Sequence, residues 1–235
     1  MPEVSLPDLI AISWFLLLWS GYTLYSDRVD SGGRNLVATM AQHREMWMVR
    51  MLGRDNRMLD IQIIRNLTRT ASFFASTSIL ILAGLVTVLG AADKVVDLTA
   101  SIPFVSKLTS LQWELRLLCL ILIFIYSFFK FAWSIRQISY CAIQIGAMDP
   151  VSDLGDDCEV RAKCIARLAT LAAVHFNRGL RGYYFAMALL AWFIHPVALG
   201  ITAAWVVLVL YRREFHSRTL KILRDGGGFS KAEKA

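Results

Sequence analysis

One group of candidate functional residues lies along one side of a single apolar stretch, Gln112 to Gln144. A helix turns by about 100° per residue, and at that angle its polar residues share one side: Gln112, Arg116, Cys119, Tyr126, Ser127, Lys130, Ser134, Gln137, Cys141 and Gln144. The opposite side carries Leu, Ile, Phe and Trp. We call this set the polar stripe. A lysine among hydrogen-bonding groups is suited to attracting an anion.

The polar stripe requires partners, because polar atoms surrounded by hydrocarbon need internal hydrogen bonds. It therefore faces either neighbouring helices or a wet path. Under the second interpretation, Lys130 supplies the charge of a pathway whose hydrogen-bonding lining is Tyr126, Ser127, Ser134 and Gln137. Under the first, the stripe packs against other helices and Lys130 extends its amine toward the membrane surface.

A second group of candidate residues lies between Asp27 and Thr70, a segment with eight arginines. From Arg34 onward its apolar residues recur at helical spacing, and a second helix is predicted to start near Arg57. One interpretation is a helix that binds anionic lipid or a protein partner, since each basic residue near such a surface contributes about 1 kcal/mol. The candidates are Arg44, Arg50, Arg54 and Arg57. The alternative, which we favour, is an ordinary cytoplasmic hairpin beneath the bundle.

The sequence contains no pattern typical of catalysis, metal binding or nucleic-acid binding. The sequence has no Gly-rich phosphate loop, no nucleophile elbow and no zinc-protease motif, so no catalytic residue and no cofactor is predicted. Cys158 and Cys164 are not spaced as zinc ligands, and the four histidines are separated in sequence, so no metal site is expected. The net charge of +7 reflects basic residues beside apolar spans rather than nucleic-acid binding.

We expect membrane helices to hold these residues in place. The chain has 235 residues, 56% of them apolar and 18% charged, with a mean hydropathy of +0.51. Apolar runs of about 20 residues match the hydrocarbon thickness. We predict an all-α polytopic membrane protein with cytoplasmic amphipathic helices, a single domain over 1–225 and a flexible tail over 226–235. The predicted spans cover 9–25, 71–92, 114–133, 180–194 and 196–211.

The number of crossings depends on Tyr183 to Tyr211, which is too long for one comfortable span. His195-Pro196 divides it, and basic residues flank both of its ends. Two short spans would keep both basic clusters inside, whereas one span would place a cluster outside. We therefore favour five crossings over four, with the N-terminus outside and the C-terminus in the cytoplasm.

Three segments carry a resemblance to a known family: RTASFFASTSILILAG (Arg69–Gly84), KFAWSIRQISYCAIQIGA (Lys130–Ala147) and NRGLRGYYFA (Asn177–Ala186). With them, the chain from about Asp8 to Arg224 resembles the bacterial and plant membrane family known as domain of unknown function 599. The resemblance implies an integral protein of the bacterial inner membrane. It carries over no catalytic residues and no assigned activity.

Two functional hypotheses follow. The first is an oligomeric channel or small-solute or ion transporter, because a few short spans enclose little space unless several copies surround an axis. The second is a membrane scaffold or interaction protein that binds anionic lipid or a partner through its Arg-rich helices. A membrane enzyme is the least favoured class.

Overall fold

The computed structural model describes residues 6–30, 35–91 and 109–226. Every element in these ranges is helical. The α-helices are α1 (Leu6–Asp30), α2 (Leu36–Met51), α3 (Met58–Leu89), α4 (Ser110–Gly146), α5 (Cys158–Leu190), α6 (Pro196–Phe215) and α7 (Arg218–Gly226). Short 3-10 helices occupy Val151–Asp153 and Ala191–Phe193.

The predicted fold class, an all-α polytopic membrane protein, is confirmed. Four helical segments in the described ranges are long and apolar enough to cross a membrane: Leu6–Arg28, Met58–Leu89, Ser110–Gly146 and Pro196–Leu223. The predicted span over 180–194 is not a separate helix. It forms the end of α5 and the 3-10 helix that follows. The exact span boundaries remain predictions.

Two of the helices are longer than the sequence pattern indicated. The Arg57–Thr70 helix and the span after it form one continuous helix of 32 residues, α3. The sequence also predicts a basic helix after Glu159, and in the structure this helix continues without a break to Leu190, which makes α5 33 residues long. Neither segment contains a proline, so nothing in the backbone ends the helix where the charge pattern changes.

The helix boundaries have local causes. Asn35 caps α2, because its side-chain oxygen accepts a 2.9 Å hydrogen bond from the backbone N–H of Ala38. Asn56 accepts a 2.9 Å bond from the N–H of Met58 at the start of α3. Pro196 opens α6, a position where its missing N–H costs nothing.

The chain reverses direction between α5 and α6. The hydroxyl of Thr202 donates a 3.2 Å hydrogen bond to the carbonyl of Ala188, 14 residues earlier. In a straight helix these residues would lie about 21 Å apart. The break therefore falls at the His195-Pro196 step that the sequence singled out.

The chain divides into two compact units. Unit 1 contains 1–26, 75–129 and 178–210, and its core is built from apolar residues of α1, α4, α5 and α6. Unit 2 contains 27–74, 130–177 and 211–235, and its core is built around Met48, Met51, Cys141 and Ile165. The predicted turn at Ser31–Gly33, the apolar loop around Pro103 and the C-terminal tail from Gly227 lie outside the described residues.

Candidate functional site

Unit 2 contains a half-enclosed cavity of about 390 Å³ bounded by helices α2, α3, α4 and α5. This volume lies within the range of about 300–1,000 Å³ that is usual for ligand pockets. Its apolar wall leaves room because four of its residues are alanines, at positions 71, 169, 172 and 173. The full lining is Met40, His43, Arg44, Trp47, Ile63, Ile64, Leu67, Thr70, Ala71, Ser134, Ile138, Cys141, Ala169, Ala172, Ala173, Phe176 and Asn177.

The lining combines a mostly apolar surface with one guanidinium group. Arg44 Nη1 is buried and has no hydrogen-bond partner among the described residues. No aspartate or glutamate lines the cavity within the part of the chain that the structure describes. Burial lowers the pKa of Arg44 from its ordinary value, because desolvation disfavours the charged form. The cavity therefore carries an uncompensated positive charge beside an apolar wall.

One wall of the cavity is held in place by a buried carboxylate. The indole Nε1 of Trp47 donates a 2.7 Å hydrogen bond to Oδ1 of Asp60, which is completely buried. Arg54 forms an ion pair with the same oxygen. Arg54, a predicted lipid-binding residue, therefore supports the indole through Asp60.

Two other predicted lipid-binding residues have different surroundings. Arg57 donates 2.7 Å and 2.6 Å hydrogen bonds to the carbonyls of Met148 and Asp149, so it ties the start of α3 to the end of α4. Arg50 is exposed and lines a surface depression together with Glu45 and Glu159. Of the four predicted arginines, Arg44 alone lines the cavity.

In unit 2, the polar stripe of α4 lies largely against protein. Ser134 is buried and donates a 2.8 Å hydrogen bond to the carbonyl of Ala172. Gln137 is only 4% exposed, and its Oε1 has no hydrogen-bond partner among the described residues. Lys130 is half-buried.

In unit 1, the stripe takes part in close helix packing. The hydroxyl of Ser127 is buried and bonds to the carbonyl of Ile123 at 2.9 Å, one turn back in its own helix. A Cβ placed on Gly182 would lie 2.2 Å from that hydroxyl, so α5 passes very close to α4. The Tyr126 ring meets the Trp19 indole edge-on at 5.4 Å.

Unit 1 contains a buried ionic cluster that the sequence did not predict. Asp8 Oδ1 accepts a 2.9 Å hydrogen bond from Arg116 and a 2.7 Å bond from the indole of Trp192. Arg116 also donates to the carbonyl of Trp192, and both charged residues are at least 95% buried. Arg116 belongs to the polar stripe, whereas its acid partner Asp8 lies just before the predicted first span over 9–25.

A second arginine is buried in the same unit. Arg181 is 3% exposed, donates a 2.6 Å hydrogen bond to the hydroxyl of Ser26 and lies over the Tyr22 ring. In the sequence, Arg181 is one of the basic residues that flank the stretch Tyr183 to Tyr211, and the structure buries it. Within the described ranges, no three His, Cys, Asp or Glu side chains converge as metal ligands do.

The four apolar helices of spanning length in the described ranges define an integral, multi-pass α-helical membrane protein. The chain belongs to the family described as protein of unknown function DUF599, whose family model matches residues 10–219. This confirms the resemblance stated from the sequence. No curated protein and no solved structure matches the chain.

Proposed function

We propose that this membrane protein binds an amphiphilic ligand with a single negative charge, and that the cavity beside Arg44 is the binding site. The observation that carries the proposal is the buried Nη1 of Arg44, which has no hydrogen-bond partner in the described residues. A buried, uncompensated cation is costly, and an anion beside it would remove much of that cost. Ligand charge and cavity charge are then complementary.

The apolar wall supports an amphiphile rather than a small inorganic anion. Met40, Leu67 and Phe176 line the cavity together with its four alanines, so most of the ligand surface would meet hydrocarbon. One guanidinium balances one charge, which suits a carboxylate on an acyl chain. Of the four arginines that the sequence offers as lipid-binding candidates, the proposal therefore keeps Arg44 alone.

The proposal keeps the location and orientation predicted from the sequence. The bacterial inner membrane, an external N-terminus and a cytoplasmic C-terminus would put the cavity close to the cytoplasmic leaflet. A ligand could then enter from the lipid phase.

The experiment measures quenching of tryptophan fluorescence by dibromostearate in protein reconstituted into nanodiscs. Trp47 lines the cavity, and bromine quenches an indole that it touches. Arg44→Met should weaken the apparent affinity about tenfold or more, since a charge-assisted hydrogen bond contributes about 1.5–3 kcal/mol. Ala173→Phe should also weaken it, because the ring occupies the apolar space.

The matched control is Arg50→Met, which removes the same charge from the same helix at an exposed position. Its quenching curve should equal that of the wild type. The uncharged methyl ester of dibromostearate should bind the wild type and Arg44→Met equally. Equal quenching of the wild type and Arg44→Met by the acid itself would refute the proposal.

An oligomeric channel or transporter is the second candidate. The observation that favours it is the buried Oε1 of Gln137 without a hydrogen-bond partner among the described residues, two turns from the half-buried Lys130. Such atoms suit a hydrated path between copies of the chain. This candidate is tested by the flux experiment described in the Discussion.

A further inference from the structure

A second basic feature lies on another side of α3, within unit 2. A groove of about 510 Å³ runs between α3 and α4, and Ile64 belongs to the lining of both the groove and the cavity. Its floor is apolar, and two arginines stand on its α3 wall. The lining is Ile61, Ile64, Arg65, Thr68, Arg69, Ser139, Ala142 and Ile143.

The charge of this groove is positive and locally uncompensated. Arg65 and Arg69 are exposed and one turn apart, a spacing at which like charges repel. Among the described residues, neither one has a hydrogen bond or an ion pair. Arg136 of α4 lines an adjoining depression that shares Ser139 and Ile143 with the groove. No acid lines either concavity in the described part of the chain.

The two helices place these arginines at the edge of their apolar spans. From Thr70 to Leu89, α3 contains no charged residue, and 20 residues of helix extend about 30 Å, the thickness of the hydrocarbon. Arg69 therefore lies at one boundary of the span. On α4, the largely apolar run ends at Arg136, which neighbours the same groove. Phospholipid phosphates occupy this level of a bilayer.

Exposed apolar side chains continue from the arginines into the span. Phe73, one turn after Arg69, is 65% exposed, and Trp133, nearly one turn before Arg136, is 51% exposed. Arg136 Nε donates a 3.1 Å hydrogen bond to the Tyr140 hydroxyl, which orients the guanidinium. Acyl chains could lie along the aromatic residues while a phosphate meets the arginines.

We propose that this groove is a specific site for an anionic phospholipid of the surrounding bilayer, with its phosphate held by Arg65, Arg69 and Arg136. Guanidinium groups bind phosphate through paired N–H donors, and basic pockets between membrane helices select anionic headgroups. The site is distinct from the cavity, because the two linings have only Ile64 in common and the arginines of the groove do not line the cavity.

The test purifies the protein in micelles that contain equal amounts of phosphatidylglycerol and phosphatidylcholine and measures retained lipid by native mass spectrometry. The wild type should retain phosphatidylglycerol preferentially. The triple variant Arg65→Gln, Arg69→Gln and Arg136→Gln should lose that preference at least tenfold. Replacement of the same three residues by lysine should keep part of it, since the charge remains.

The matched control carries Arg28→Gln, Arg212→Gln and Arg218→Gln, which remove the same charge from exposed positions outside the groove. It should retain phosphatidylglycerol like the wild type. The proposal would be overturned if the control lost its preference for phosphatidylglycerol as much as the groove variant does, or if the groove variant kept that preference in full.

Arg44→Met distinguishes the groove from the cavity, because it should weaken dibromostearate binding and leave phospholipid retention unchanged. Gel filtration and thermal melting verify that each variant is folded.

Discussion

The indole of Trp47 and the carboxylate of Asp60 are joined by a 2.7 Å hydrogen bond that fixes one wall of the unit 2 cavity. Asp60→Asn removes the charge that Arg54 pairs with while keeping an acceptor for the indole. Because Arg54 is 36% exposed and water replaces part of the lost pair, we expect a loss of about 1–3 kcal/mol of stability. Thermal melting in detergent measures the loss. Asp55→Asn, at an exposed position, should change little.

The Arg44 guanidinium should make the ligand-free protein less stable than it could be. Arg44→Met removes a charged group whose Nη1 is buried without a partner among the described residues and keeps much of the side-chain volume, so stability should rise by about 1–3 kcal/mol. For a chain of this size, that corresponds to about 2–4 °C in Tm per kcal/mol. Melting in neutral detergent without added fatty acid measures the gain. A lower Tm would mean that the guanidinium already has a stabilising partner.

Gly182 and Ser127 define how closely α4 and α5 approach. Gly182→Ala places a methyl group 2.2 Å from the serine hydroxyl, so we expect a cost of about 1–3 kcal/mol from overpacking. Adding Ser127→Ala should restore most of the loss, because the alanine Cβ sites are then 3.5 Å apart. Gly84→Ala is the control, since nothing lies within 4 Å of its Cβ position. Failure of the second substitution to rescue the first would contradict this account of the packing.

Asp8 and Arg116 should behave as a coupled pair in unit 1. Either Asp8→Asn or Arg116→Met leaves one partner buried without its counter-charge, and breaking such a pair costs about 3–5 kcal/mol. The double variant should cost less than the sum of the two single variants. A double-mutant cycle from denaturation in mixed micelles measures the coupling. Additive losses would show that the two residues do not interact in the folded protein.

Substitutions of Lys130 test the proposal of an oligomeric channel or transporter. If an oligomer carries anions past this side chain, Lys130→Met should lower anion flux from liposomes or change its selectivity, while Lys130→Arg should keep both. The measurement is flux under chloride and potassium gradients. Unchanged flux in the methionine variant, or no flux by the wild type under any gradient, would exclude the Lys130 pathway.

The sequence could predict the helices because their signal is local. Apolar runs of spanning length and helical periodicity depend only on neighbouring residues, and they indicated the all-α membrane fold and the break at His195-Pro196. The full lengths of α3 and α5 were harder to predict. In each segment the composition changes from polar to apolar, which resembles a helix boundary, but the helical backbone continues through that point.

The amino-acid sequence alone establishes that the protein is built from membrane helices, that α4 carries a polar stripe and that arginines are frequent in the segment before α3. The contacts of those polar residues depend on the tertiary packing. Arg54 and Arg57 have partners inside unit 2, and Arg44 lines its cavity. The acid that pairs with Arg116 is 108 residues away in the chain. Periodicity places a residue on a face, whereas its partner depends on which distant segment packs against that face.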